Sequence, residues 1–278
     1  MLYRQVAADL SVLRQDSTSR AMAAHVNQLL ARAHHIIYSS RKTNLLTLFR
    51  FLRDDYPVIF RRNLSYVTLS VVISIACGVL GVALTSSRPE FMRHFVGPEM
   101  VATMEQHRMW THSIVSVAPM ATSAIMTNNL TVSFVTFASG IVFGLGTLWY
   151  LFVNGMMLGV IGAACHQYGM SLALWSFVAG HGSLELPSIL IAGGAGLRLG
   201  RAMVFPGGMR WKDSIAQGGV EATRLMAGII PLLVIAACIE GFFSPSQAPV
   251  WLKFTVGGVL FLLLSLWLLH PVKRATER

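Results

Sequence analysis

Beyond residue 62 the chain is written in long apolar runs separated by short polar interruptions. Six runs, at 63–85, 130–152, 154–180, 184–204, 224–243 and 251–270, each approach the roughly 20 residues a helix needs to cross hydrocarbon. The third run contains Gly162, His166, Gln167 and Gly169, which read as an interruption, so the span count lies between five and seven. Ahead of the runs, apolar residues recur at helical spacing. Leu2, Val6, Leu10 and Leu13 share a face in 2–14, and Met22, Val26, Leu29, Ala33, Ile36 and Ile37 do so in 19–38. A third stretch, 43–56, sets Leu45, Leu48, Phe49 and Leu52 beside Arg50 and Arg53 and is expected to stop at Pro57. The first two stretches fit equally an interfacial helix pair or a small cytosolic hairpin. The pattern predicts an all-α, polytopic transmembrane bundle. Residues 1–62 form a cytosolic and interfacial basic helical region, 63–270 the bundle, and 271–278 a basic tail.

Composition agrees. Apolar residues make up 54% of the chain and charged ones 12%, where soluble chains average about a quarter charged. The net charge of +10 comes from Lys and Arg placed on the flanks of the apolar runs, ten before residue 63, five in 198–224 and three after 270, against Arg88, Arg93, Arg108 and Lys253 elsewhere. Basic residues gather on the cytosolic side of membranes, so an even number of spans with both termini cytosolic, in the inner (cytoplasmic) membrane, satisfies the count. No basic patch is interleaved with aromatics, so nucleic acid is not an expected partner. Cys77, Cys165 and Cys238 all fall in apolar runs without metal-site spacing and read as buried packing residues. The N-terminus shows no short apolar core with a cleavage site, so no removable signal peptide is expected.

Residues 86–128 then form an exoplasmic loop, nearly charge-balanced, with His94, His107, His112 and Trp110. Phe91, Phe95, Val96, Met100 and Met104 predict an ordered helix resting on the membrane rather than a free strand of loop. Glycines recur four apart at Gly140/Gly144, Gly155/Gly159 and Gly196/Gly200. Such pairs let helix backbones approach in lipid, either inside one bundle or in a homo-oligomer.

The candidate chemistry lies in GHGSLELP. His181 and Glu185 share a face if that segment is helical, although Gly180, Gly182 and Pro187 predict a break, with a new helix starting near Ser183. Ionisable groups at membrane depth mark functional sites by default. Three chemistries are open for the pair: half of a metal site, an acid and base handling a proton, or a clamp for a head group. A metal would need a third ligand from His166, His112 or Glu240, none at diagnostic spacing, and no metal or cofactor is expected. The remaining account is structural, the pair fastening two helices with Arg198 completing an ion pair. Asn154, read at a reversal, is expected to cap a helix, and of Asn128 and Asn129, read at the start of the second span, one is expected to cap while the other points into the bundle. The candidate polar centre is therefore Asn128, Asn129, Asn154, His181, Glu185 and Arg198.

The runs NNLTVSFVTFASGIVFGLGTLWYLFVNGMMLG and HGSLELPSILIAGGAGLRLG resemble the stage II sporulation protein M-like family of membrane proteins. So do YRQVAADL, QLLARAH and IEGFFSPS, and the resemblance covers essentially the whole chain. It implies a membrane anchor or scaffold, since the founding member serves the engulfment machinery of spore formers beside partners that degrade peptidoglycan. Relatives outside spore formers are largely of unknown function, and this chain, with its basic N-terminal region, is similar to that broader type. The resemblance assigns no catalytic residues. Two functions follow as expectations. The first is a non-enzymatic scaffold that recruits cell-envelope proteins through loop 86–128 and the N-terminal region. The alternative is an intramembrane enzyme or transporter centred on His181 and Glu185, with Glu185 as base.

Overall fold

A computed structural model describes residues 45–108 and 118–271, together with Val6, Leu10, Met22, Ala23 and residues 25–30. The chain divides into two compact units, 1–50 and 51–278. In the first, Leu10 and Leu30 are buried, and α1 (Leu45–Arg50) is exposed along its whole length. Most of the two helices expected in 2–14 and 19–38 lies outside the described residues.

The second unit opens with a wide π turn at Phe51–Asp55 and continues through α2 (Tyr56–Arg62). Helix therefore does not stop at Pro57. The proline occupies the first turn of α2, where its missing N–H has no partner to lose. Tyr56 anchors this segment. Its ring stacks on Trp267 at 5.1 Å, fills the space left by the absent side chain of Gly228, and its hydroxyl donates to the Leu225 carbonyl at 3.1 Å.

Six long helices follow: α3 (Leu64–Ser87), α6 (Ala118–Ala138), α7 (Leu145–Gln167), α8 (Ser171–Val204), α9 (Trp211–Cys238) and α10 (Val250–Leu269). Among the described residues two short ones, α4 (Pro89–Val96) and α5 (Pro98–Glu105), lie between α3 and α6. Helices α3, α7, α9 with the π turn that ends it, and α10 are long and apolar enough to cross a membrane. The protein is an all-α, multi-pass membrane bundle.

Of the expected interruptions, the one around Gly169 is present, and the others fall elsewhere than the apolar runs suggested. The expected span 130–152 is divided by a tight turn at 139–144, where Phe143 and Gly144 both take positive φ. The expected span 154–180 is divided at Tyr168–Met170, around a left-handed Gly169. Conversely, the break expected within 180–187 does not exist. Helix α8 runs unbroken from Ser171 to Val204 with Pro187 inside it. Proline removes a single N–H, and membrane helices tolerate this where neighbouring groups compensate. Helix α8 is braced on both sides of Gly180: Ile239 and Phe243 press on that glycine, and Gly257 of α10 lies against the Ala179 carbonyl.

All three glycine pairs act within the bundle. A Cβ on Gly159 would strike the Gly78 carbonyl of α3, and one on Gly140 would strike Gly196 of α8. Gly155 faces Ser74, and Gly144 faces Gly200. Cys165 is buried as expected, Cys77 is half-buried, and Cys238 is exposed on the outer surface of the bundle rather than packed inside. An apolar run does not say which of its faces meets lipid.

Gly159→Val should therefore destabilise the bundle by roughly 1–3 kcal/mol through overpacking. Thermal unfolding in detergent checks this, with Gly258→Val as the control, because open space surrounds Gly258 and its melting temperature should not move.

Candidate functional site

Three segments bring polar side chains to one place. Helix α6 supplies Asn129, and α8 supplies His181 and Glu185 one turn apart. The π turn at Ile239–Phe243 supplies Glu240, and the residue after it is Ser244. This turn is real in its hydrogen bonding, because the Ser244 N–H reaches the Ile239 carbonyl at 2.8 Å, five residues back. A wide turn of this kind shifts the register of the helix and often marks a functional position.

His181, Glu185 and Glu240 each present one ligand-type atom, all within 4.8 Å of one another. The two carboxyl groups face each other, and the Asn129 amide faces both. His181 and Asn129 are each 6% exposed. The imidazole is held in place: Nδ1 lies 2.9 Å from Ser244 Oγ, and the ring meets Phe177 edge-on at 5.3 Å. The Ser244 carbonyl in turn accepts from the Lys253 ammonium at 2.7 Å, and both residues are buried. What the centre lacks is closure. Oε2 of Glu185, Oε2 of Glu240 and Nδ2 of Asn129 are buried without a well-formed hydrogen bond. Ser133, one turn along α6 from Asn129, is buried with its hydroxyl unpartnered as well.

On the adjacent face of α6, Ser123, Ala124, Thr127, Asn128 and Thr131 line an open groove of about 660 Å³. Asn128 is exposed there, and its Nδ2 reaches back to Asn129 Oδ1 at 3.4 Å.

Of the six residues expected in the polar centre, Asn129, His181 and Glu185 converge and Asn128 adjoins them. The other two stand apart. Asn154 lies in the interior of α7 and donates to the Tyr150 carbonyl at 2.8 Å. Arg198 pairs with Glu221 at 2.9 Å and sits over the Tyr66 ring. None of the three asparagines caps a helix, because α6 begins ten residues before Asn128 and α7 nine before Asn154. Glu240, conceivable in sequence only as one of three further ligands, is the residue that completes the cluster. Its signal was its solitude: it is the one acidic residue between Glu221 and the C-terminal segment. Ser244 and Lys253 were not singled out. His166 bonds Ser171 at 3.3 Å instead, and His112 lies outside the described residues.

The chemistry available is that of two carboxylates and an imidazole in a poorly solvated place. Such a group set takes up a cation, shares a proton, or does both in turn.

Lys253→Met should leave the Ser244 carbonyl without its donor, at a cost of about 1–3 kcal/mol. Hydrogen exchange is the direct check: amides of 244–249 should exchange faster while those of 145–167 hold their rates.

Comparisons with known proteins bear on the whole bundle. Residues 67–245 match the family Stage II sporulation protein M, and residues 1–39 match a domain of unknown function. An uncharacterized protein of Methanocaldococcus jannaschii is 31% identical over 127 residues, which is 45% of this chain and 71% of that protein. No solved structure matches. The family match runs from early in α3 to just past the π turn and so takes in Asn129, His181, Glu185, Glu240 and Ser244. On that match, the chain belongs to the Stage II sporulation protein M family.

Proposed function

We propose that the protein is a scaffold of the cytoplasmic membrane, with both termini in the cytosol, that holds envelope proteins on its exoplasmic side. The observation carrying this reading is the folded cap made by α4 and α5. Met92, Val101 and Met104 of the cap are buried in a cluster with Cys165, Met170 and Leu174, at the junction of α7 and α8. An ion pair between Arg93 and Glu105, 3.2 Å apart, ties α4 to α5. The outer face keeps Glu90, Arg93, His94, Glu99 and Glu105 exposed. A cap pinned in this way offers a partner a preformed polar surface, so little ordering entropy opposes docking. The orientation rests on the Lys/Arg asymmetry, which leaves the cap on the side with few basic residues.

A second reading, an intramembrane enzyme or transporter, is favoured by the convergence of Asn129, His181, Glu185 and Glu240 beside an open groove. It fails if Glu185→Gln, made at normal levels, leaves the cellular function untouched.

The scaffold reading predicts that photo-crosslinkers at Glu90 and at Glu99 capture the same envelope protein in cells, and that one at Leu262, on the outer surface of α10, does not. Met104→Asp, which forces a charge into the buried underside of the cap, should abolish that capture while the bundle remains in the membrane. Capture of nothing from either cap position, with the cap dispensable for function, would count decisively against it.

A further inference from the structure

We propose that His181, Glu185 and Glu240 bind one divalent first-row transition-metal ion, with Asn129 and Ser244 as supporting residues. The proposal stands independently of the scaffold reading and gives the polar centre its ligand.

The donor atoms fit such an ion in type and in spacing. One imidazole nitrogen and two carboxylate oxygens is a set that suits zinc, manganese or ferrous iron, whereas calcium and magnesium prefer oxygen alone. Ligands about 2.1 Å from a tetrahedral metal stand roughly 3.4 Å apart. The three donors already lie within 4.8 Å of one another, so small side-chain rotations close the set. Because Ser244 occupies Nδ1 of His181, Nε2 is the nitrogen left for the metal. A ligating histidine is oriented by an acceptor for its other ring N–H, and the Ser244 hydroxyl oxygen stands in that place.

The cluster is more than a meeting of acids. Asn129 is buried, its Nδ2 has no well-formed partner, and its amide faces both carboxyl groups. Oε2 of Glu185 and Oε2 of Glu240 are unpartnered too. A divalent cation answers these vacancies together. It accepts one oxygen from each carboxylate and the imidazole, and its fourth ligand, a water, can accept a hydrogen bond from Asn129. Charge points the same way. Two carboxylates in a poorly solvated interior carry a heavy desolvation cost unless a cation neutralises them, and a divalent ion neutralises both. Three protein ligands leave one coordination position open, so the ion would be able to hold a ligand beyond water. The groove at Asn128 opens on the next face of the helix that carries Asn129.

Full-length protein, stripped with a chelator and reconstituted in lipid nanodiscs, tests this with zinc and cobalt. The expected result is about one zinc per chain, with magnesium and calcium failing to compete. Glu185→Gln and Glu240→Gln should each weaken zinc binding about 100-fold or more, and Ser244→Ala about 10–100-fold. Arg198→Gln and Asn154→Ala should bind as the parent does. Zinc should raise the melting temperature of the parent and leave that of the glutamine variants unchanged. Failure to bind zinc at 100-fold excess overturns the proposal and leaves a shared proton as the occupant. Binding that survives both glutamine substitutions overturns it equally, and so does calcium competing with zinc on equal terms. Where a glutamine variant does not fold, cobalt in the parent protein decides. Intense visible bands of a low-coordinate nitrogen–oxygen site support the proposal, and the faint spectrum of hexa-aqua cobalt refutes it. Partner capture by the cap is unaffected by any of these outcomes.

Discussion

Close backbone contact along α8 is the constraint on which the bundle depends. In hydrocarbon the lipid tails are as apolar as leucine, so helices associate through packing and polar contacts rather than through exclusion of water. Helix α8 supplies that packing with small residues. Gly194 meets Val67 of α3, Gly193 meets Ser70 and Leu151, and Gly196 meets Thr136 and Thr147. On the other side, Gly257 of α10 rests on the α8 backbone at Ala179. With four neighbours drawn in this tightly, α6 and the π turn stand near enough for Asn129 and Glu240 to reach His181 and Glu185. The polar centre is thus a consequence of glycine packing as much as of its own side chains.

Elsewhere in the bundle many polar groups are satisfied by the chain itself, although the buried hydroxyls of Ser70 and Thr85 have no partner. Thr136 donates to Val132, Ser188 to Leu184 and Asn154 to Tyr150, each four residues back along its own helix. Thr147 crosses to the Thr136 carbonyl at 2.7 Å. These hydroxyls and amides need no ligand, which is why depth and polarity alone did not separate Asn154 from Asn129. The difference lies in what stands opposite. Asn154 finds a carbonyl of its own helix, while Asn129 faces two carboxyl groups that are themselves incomplete.

The class of fold was legible because apolar runs of spanning length have few alternatives. Helical order after α3 was legible too, through residues such as Met104, which is buried; that two helices form and pack on the junction of α7 and α8 through Met92 and Val101 was not. Boundaries were less legible. Gly180, Gly182 and Pro187 carry the composition of a break, yet α10 and the π turn pack against that segment and keep it helical; Phe143 and Gly144, which do turn the chain, sit in an uninterrupted apolar run. Half of the centre was legible because His181 and Glu185 are four residues apart. Glu240 was not, since a contact across 55 residues has no local period, and the π turn that aims it leaves no mark in the hydrophobic pattern. Arg198 was assigned to the wrong partner for a related reason. Glu221 lies in the next helix, and nothing in the spacing favoured it over Glu185.

The two acidic sites on α8's neighbours now make an instructive contrast. Glu221 meets Arg198, and with one guanidinium to one carboxylate that site is neutral and needs nothing more. Glu185 and Glu240 meet each other. The buried Lys253 turns its ammonium to the Ser244 carbonyl and thereby fixes the residue that holds His181. A lysine serving only to neutralise a buried acid would be expected on the acid itself. Here it braces the imidazole's support and leaves the carboxylates facing one another, an arrangement that stabilises the protein only if something from outside the chain, a cation or a proton, completes it.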